Sequence, residues 1–288
     1  MKDETKTAII CIAPTIAIIG IFTVFPIFYS FGLSMTDWDG FSPSINFVGI
    51  SNYSKLISSE AFWNSIIVTL YYTVGVSIIS VIAGLALASL INRTGGLLSS
   101  LYRVIYFIPV VTSFVAAGVV WKSLFSPFGF FSDIFRSIGL SPINWLADPI
   151  WAMPALIIVG TWMRLGFTTV ISLAGLQSIP RGYYDKAKID GAGALNRFRF
   201  VTIPLMKPII LLLFIMSLVD AFLIFDLAFV MTGGDPLGAT NVVGLLLYKN
   251  AFHYYKMGFA SAIGMMIFAI VLIITLVQMK LFKFGKGG

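Results

Sequence analysis

The stretch Phe62–Ile91 reads FWNSIIVTLYYTVGVSIISVIAGLALASLI and contains no Asp, Glu, Lys, Arg or His. About 20 apolar residues, rising 1.5 Å each, cross the hydrocarbon core of a bilayer, so this run is long enough to span it as a helix. Its apolar residues do not alternate with polar ones, which excludes the strand of a membrane barrel. Working outward, five further segments meet the same length: roughly Ala8–Leu33, Val104–Trp121, Ile150–Leu176, Pro208–Met231 and Gly258–Met279. The chain of 288 residues is 58% hydrophobic and 11% charged, against ~25% charged in a soluble domain. With a mean hydropathy of +0.96, it has too few polar residues to cover a surface in water, and lipid removes that requirement. The fold class is therefore all-α: a polytopic membrane helical bundle of six transmembrane helices.

Between the polar start Met1–Lys6 and about Met35 lies one long apolar stretch. It exceeds a signal-peptide core, and no small-x-small site closes it after ~15 residues, so it reads as a retained first span. The one cysteine, Cys11, lies inside it and rules out an intrachain disulfide framework. Placement of lysine and arginine orients the bundle. With the N-terminus inside, thirteen basic residues fall in cytoplasmic segments: Lys2, Lys6, Arg93, Arg103, Arg181, Lys186, Lys188, Arg197, Arg199, Lys207, Lys280, Lys283 and Lys286. Only Lys55, Lys122, Arg136, Lys249 and Lys256 fall outside. Both termini are thus expected in the cytoplasm. The net charge of +7 is therefore read by position along the chain and not as a nucleic-acid signal.

Two loops stand out. Asp37–Ala61 sets Trp38 and Tyr53 among polar residues, as an interfacial segment would. Gln177–Lys207 is the longest cytoplasmic loop, and apolar residues recur in it at helical spacing: Tyr184, Ala187, Ile189, Ala192, Leu195 and Phe198. Such a loop folds into amphipathic helices that either dock a partner or rest on lipid.

Three ionisable residues remain within spans: Arg164, Asp220 and Asp226. Each costs about 2.5–3.5 kcal/mol on insertion scales, so each must face the bundle interior or a cavity. Arg164 and Asp220 lie at a similar depth, roughly 18–20 Å from the cytoplasmic ends of their helices. A salt bridge would neutralise both; contact with a carried solute is the alternative. Asp226 lies near the outer edge, and six residues of continuous helix would set it about 120° from Asp220, so the two should not line one narrow channel. Trp162, Asn241 and Tyr248 are further polar or aromatic candidates on the path. His253, the only histidine, lies outside, which argues against a histidine proton relay.

The run from Leu176 to Gly193, with Asp185, Lys186, Ala187 and Gly191 on a Glu-Ala-Ala-x-x-x-Gly core and Ile203-Pro204-Leu205 following, resembles the signature loop of type I ABC importer permeases. Asp185 stands for the Glu and Lys186 for the first Ala. Phe225–Pro236, Tyr248–Phe252, Met257–Ala262, Ser34–Trp38 and Phe47–Tyr53 are similar to the carbohydrate-uptake branch, in the type of the larger maltose-importer permease. The resemblance implies an N-terminal helix and outer loop over 1–61, a permease domain over 62–279 and a cytoplasmic tail over 280–288. It implies a second homologous permease as a heterodimer partner, two cytoplasmic ATPases and an extracytoplasmic sugar-binding protein, in a bacterial inner membrane. It also implies that Tyr184–Ala192 is a coupling helix seated on one ATPase, with Tyr184, Asp185, Ala187, Ile189, Asp190, Gly191 and Ala192 at the contact. Gly191 would end that helix at positive φ.

ATP and Mg belong, on this reading, to the partner ATPases. The chain has no Gly-x-x-x-x-Gly-Lys-Ser/Thr loop, and no cofactor or metal is expected on it. No Ser/His, paired-Asp or His-x-x-x-His arrangement within the spans suggests an enzyme. An ion-coupled secondary transporter is the rival reading, since it too uses intramembrane carboxylates and broken helices.

Overall fold

In the computed structural model of the chain, residues 2–92 and 105–281 are described, with side chains from Ile10 to Lys280 within them. Arg93, Arg103, the Val104 start of the third expected span and the tail residues Lys283 and Lys286 lie outside the described residues, as do the side chains of Lys2 and Lys6. Among the described residues five helices are long and apolar enough to cross a membrane, or six if a pair bent by 113° counts as one span. The chain forms two compact units, Met1–Trp63 with Leu246–Leu272, and Asn64–Leu245 with Ile273–Gly288.

The first unit begins with α1 (Lys2–Ile19), a π turn at Gly20–Val24 and α2 (Phe25–Ser34). Pro26 has no N–H to give, and the chain absorbs the fault by a shifted bond from the Phe25 N–H to the Gly20 carbonyl. Beyond Ser34 the loop is folded: Thr36 bridges Phe47, and α3 (Ser51–Ile57) follows. Asp39 accepts from the N–H of Ser42, the N–H of Phe41 and the Ser42 hydroxyl, which holds its carboxyl down to about 2. The helix α13 (Met257–Leu281) contributes its first part to this unit.

The second unit is built on α4 (Glu60–Ile91) and α7 (Pro149–Ser178). Along one face of α4 run Ser65, Thr69, Thr73, Ser77 and Ser80, all buried. Small hydroxyl residues let helix backbones approach, and several give their protons to carbonyls of the preceding turn, Thr69 to Ser65 and Thr73 to Thr69. Across the contact Thr168 donates to the Ser80 carbonyl at 3.0 Å. Gly160 faces Tyr72 so closely that a Cβ would strike the phenol oxygen. Ala88, Ile91, Leu173, Leu176 and Met206 form a core at one end of this unit.

Two expected spans differ from their hydropathy reading. The third is broken at Thr112–Ser113, where extended backbone separates the helical segment Ile105–Val111 from α5 (Phe114–Leu124). A short helix α6 (Phe130–Ser137) follows in the connection to α7. The fifth begins well before Pro208: the membrane-length helix runs Ala194–Phe222, and it stops short of Met231. After α8 (Arg181–Ile189) come α9 (Ala194–Arg197), a π turn at Phe198–Thr202 and α10 (Ile203–Phe222). The chain leaves the helix at Leu223–Phe225 and restarts as α11 (Asp226–Met231), which packs on α5. Neither Gly nor Pro marks the second break. Tertiary packing of α11 sets it, with Asp226 in the favourable first turn. Next come α12 (Val243–Tyr248) and a π turn at Lys249–His253.

Candidate functional site

The break after Phe222 opens a cavity of about 320 Å³ near the middle of α7. Arg164 reaches into it and pairs with Asp220, Nη2 to Oδ2 at 2.9 Å. Burial is one-sided: the Arg164 side chain is 14% exposed and that of Asp220 is 53% exposed within this chain. The guanidinium is fixed, while the carboxylate keeps a face toward the cavity. Asp226 lines the same cavity, with Tyr72, Phe114 and Phe225 among its walls. This corrects the expectation that Asp220 and Asp226 diverge by about 120°, because that angle assumed a continuous helix and the break turns Asp226 back. Tyr72, Phe114 and Phe225 were not legible as site residues. Their sequence signals are slight: Tyr72 lies between Thr69 and Thr73 of the hydroxyl stripe of α4, and Phe225 opens the Phe225–Pro236 stretch.

Trp162 is placed elsewhere. It meets Trp121 edge-on at 5.5 Å, in an aromatic cluster that continues through Phe125, Phe131 and Trp145. Asn241 donates from Nδ2 to the Ser65 hydroxyl at 3.3 Å, beside the Val243 N–H bonded to Thr69 Oγ1 at 2.8 Å. These contacts tie the segment before α12 to α4. Tyr248 stacks at a tilt on Phe252 at 5.2 Å.

The second feature is α8 and its end. The helix runs from directly after Pro180 to Ile189, three residues earlier at each end than the Tyr184–Ala192 that the resemblance implies. It closes through two bonds, Gly191 N–H to the Lys188 carbonyl at 3.0 Å and Ala192 N–H to the Ala187 carbonyl at 2.8 Å. With Gly191 at φ 76°, this is the paired C-terminal cap that glycine permits without strain. Side chains then sort by face. Tyr184 turns inward and its hydroxyl meets Thr202 Oγ1 at 3.1 Å, with Ala187 also half-buried. Asp185, Asp190 and Gly191 are exposed, Asp185 paired with Lys188 at 3.1 Å. Ile189 is 86% exposed and Leu195 77% exposed. The apolar set Tyr184, Ala187 and Ile189 therefore divides: the first two hold α8 to its own chain, and Ile189 is presented outward with Leu195. Arg197 closes the turn by donating to the Ala192 carbonyl at 3.4 Å.

The described residues combine mostly helical structure, broken spans, a cavity that holds charged side chains and a short helix with an exposed apolar end. Residues 78–283 match the family described as the inner membrane component of binding-protein-dependent transport systems. The chain is 35% identical, over 98% of its length and 96% of the relative's, to the trehalose/maltose transport system permease protein MalF of Thermococcus litoralis. It is 34% identical to the lactose transport system permease protein LacF of Rhizobium radiobacter, over 93% and 91%. Its fold is similar to that of a chain in the crystal structure of a bacterial ABC transporter that imports the acidic polysaccharide alginate. That match has a TM-score of 0.84 at 23% identity and covers 99% of this chain and 97% of the other. This chain belongs to the family of inner membrane components of binding-protein-dependent transport systems. It is a multi-pass permease subunit and not an enzyme.

Proposed function

We propose that this permease carries a sugar or oligosaccharide inward, paired with a second homologous permease. Two cytoplasmic ATPases that hold ATP and Mg drive it, and an extracytoplasmic binding protein delivers the sugar. The relatives named for trehalose, maltose and lactose transport support the substrate class. The observation that carries the path is the mid-depth cavity where Arg164, Asp220 and Asp226 meet aromatic walls inside otherwise apolar spans. Aromatic faces pack on sugar rings, and the exposed carboxylate of Asp220 offers acceptors to hydroxyls. α8 and α9 form the ATPase-facing element: Ile189 of α8 and Leu195 of α9 are exposed apolar side chains that a docked partner would cover.

Reconstitution tests this reading. Purified in mild detergent, the chain should bring with it a second permease and an ATPase subunit, identified by mass spectrometry. With binding protein added, vesicles of that complex should accumulate labelled sugar only when ATP is supplied. Uptake that follows a proton or sodium gradient without ATP would sink the proposal.

The orientation has both termini in the cytoplasm and the Asp37–Ala61 loop outside. In a Cys11→Ser background, single cysteines at Ser42, Ser137 and His253, outer positions that are not buried, should be the ones labelled by an impermeant thiol reagent on intact cells. Cysteines at Ser178 and Gly287 should be protected, and their labelling would invert the topology.

A further inference from the structure

In the first unit a second cavity, of about 360 Å³, lies where α2 ends, the Asp37–Ala61 loop folds and α13 begins. Its volume falls within the roughly 300–1,000 Å³ of small-molecule pockets. Three of its walls are aromatic: Trp38, Tyr255 and Phe259. The loop and the turn before α13 are locked together around it, with the Gly258 N–H donating to the Trp38 carbonyl at 2.9 Å and Phe41 edge-on to Tyr255 at 5.2 Å. Tyr255 is held at φ 51°, a conformation that costs an ordinary residue strain, so its ring is placed there by the surrounding structure.

The polar groups decide what fits. Asn52 is 95% buried, since only 5% of it is exposed, and its Nδ2 donates to the carbonyls of Ser34 at 2.9 Å and Thr36 at 2.7 Å. Those two bonds fix the amide orientation and leave Oδ1 as an acceptor with no partner among the described residues, in a side chain that lines the cavity. Asp37 adds carboxylate oxygens, which accept from Asn46. Lys55, Lys256 and the Ser59 hydroxyl add donors, and neither lysine has an ion pair among the described residues. A phosphate group could use the lysines but would face the oxygens of Asn52 and Asp37 as repulsive neighbours. A sugar ring uses both sets, because each hydroxyl donates and accepts, while its C–H faces lie on the aromatic walls.

We propose that this cavity is an accessory carbohydrate subsite, separate from the mid-depth cavity, that takes a neutral sugar ring at the membrane face where the first span ends. In the proposed orientation that face is the outer one, so the subsite would hold sugar before it enters the path. The assignment rests on the sugar reading of the function.

Saturation-transfer NMR on the purified permease–ATPase complex without binding protein tests it, with maltose, trehalose and lactose as probes beside ATP-driven vesicle uptake of the same sugars. At least one transported sugar should give a signal. Tyr255→Gly removes the ring and relieves the backbone, and Lys55→Gln with Lys256→Gln removes the donors. Each should weaken binding by at least about fivefold, the scale of an aromatic or polar contact. Asp226→Asn, in the mid-depth cavity, should keep the part of the signal that Tyr255→Gly and the lysine changes remove. Uptake with no signal in the complex would overturn the subsite and leave the sugar reading standing. Neither uptake nor signal would overturn both. A signal lost in Asp226→Asn but kept in Tyr255→Gly would place binding in the mid-depth cavity alone and overturn the subsite. Loss of the signal when phosphatidylethanolamine nanodiscs replace detergent would assign the cavity to a lipid headgroup instead.

Discussion

Reconstituted with the proposed ATPase partners, a Gly191→Trp variant is expected to leave ATP hydrolysis running while little sugar is imported. A Cβ at Gly191 meets nothing within 4 Å, so an indole there would project from the end of α8 into whatever docks on it. Two effects must be separated, since φ 76° also makes any β-carbon costly, by about 1–2 kcal/mol. Asn tolerates that conformation and is small. Gly191→Asn should therefore keep most of the coupling. Gly191→Trp should cut uptake per ATP by about 5–150-fold, the range that corresponds to a coupling free energy of about 1–3 kcal/mol. Both variants should insert and purify in similar amounts, because neither touches the core around Leu176 and Met206. Normal sugar-stimulated hydrolysis and uptake in Gly191→Trp would show that the end of α8 is not an ATPase contact. Equal loss in both variants would assign the effect to the cap and not to the contact.

Removing Arg164 should damage the complex more than removing Asp220. Arg164→Ala leaves Asp220 and Asp226 lining one cavity with no cation between them, and like charges in a shared site repel. Asp220→Ala strands the guanidinium, but Asp226 remains in the same cavity to compensate it. A fully buried pair loses about 3–5 kcal/mol when one partner goes. Because Asp220 is 53% exposed in this chain, a discount toward the exposed-pair range leaves about 1–3 kcal/mol for Arg164→Ala and less for Asp220→Ala. Arg164→Leu with Asp220→Leu should recover much of the loss, with sugar uptake still impaired. Thermal unfolding of the purified complex through a double-mutant cycle, closed by the Arg164→Ala with Asp220→Ala double variant, provides the measurement. Additivity within ~0.5 kcal/mol would mean the 2.9 Å contact carries no coupling in the assembled transporter. A larger loss from Asp220→Ala would remove Asp226 from the account.

Some of this was legible because it depends on neighbours in sequence. Insertion into lipid is a sum over about 20 consecutive residues, so the charge-free run Phe62–Ile91 declared a membrane helix whatever surrounds it. Gly191 was likewise legible as a helix end, because the cap involves only residues from Ala187 to Ala192 and needs one position at positive φ. Matched depth and opposite charge offered the pairing of Arg164 with Asp220 as one of two readings, since both helices rise by the same amount per residue, and the 2.9 Å contact selects it.

Other features depended on contacts between distant residues. Hydropathy reads straight through Leu223–Phe225, whose residues are apolar on both sides of the break. The packing of α11 on α5 makes the chain leave the helix there, and only that turn brings Asp226 into the cavity of Arg164 and Asp220. Periodicity grouped Tyr184 with Ile189 as one apolar set, yet a hydroxyl eighteen residues onward, that of Thr202, turns Tyr184 inward and leaves Ile189 outside. The sequence alone determined the membrane class, the apolar segments long enough to span and the local helix end, because hydrophobic transfer and capping act over a few turns of chain. The tertiary structure alone decided where spans break and which charges and rings share a cavity, because a helix gives up its hydrogen bonds only where distant neighbours repay them.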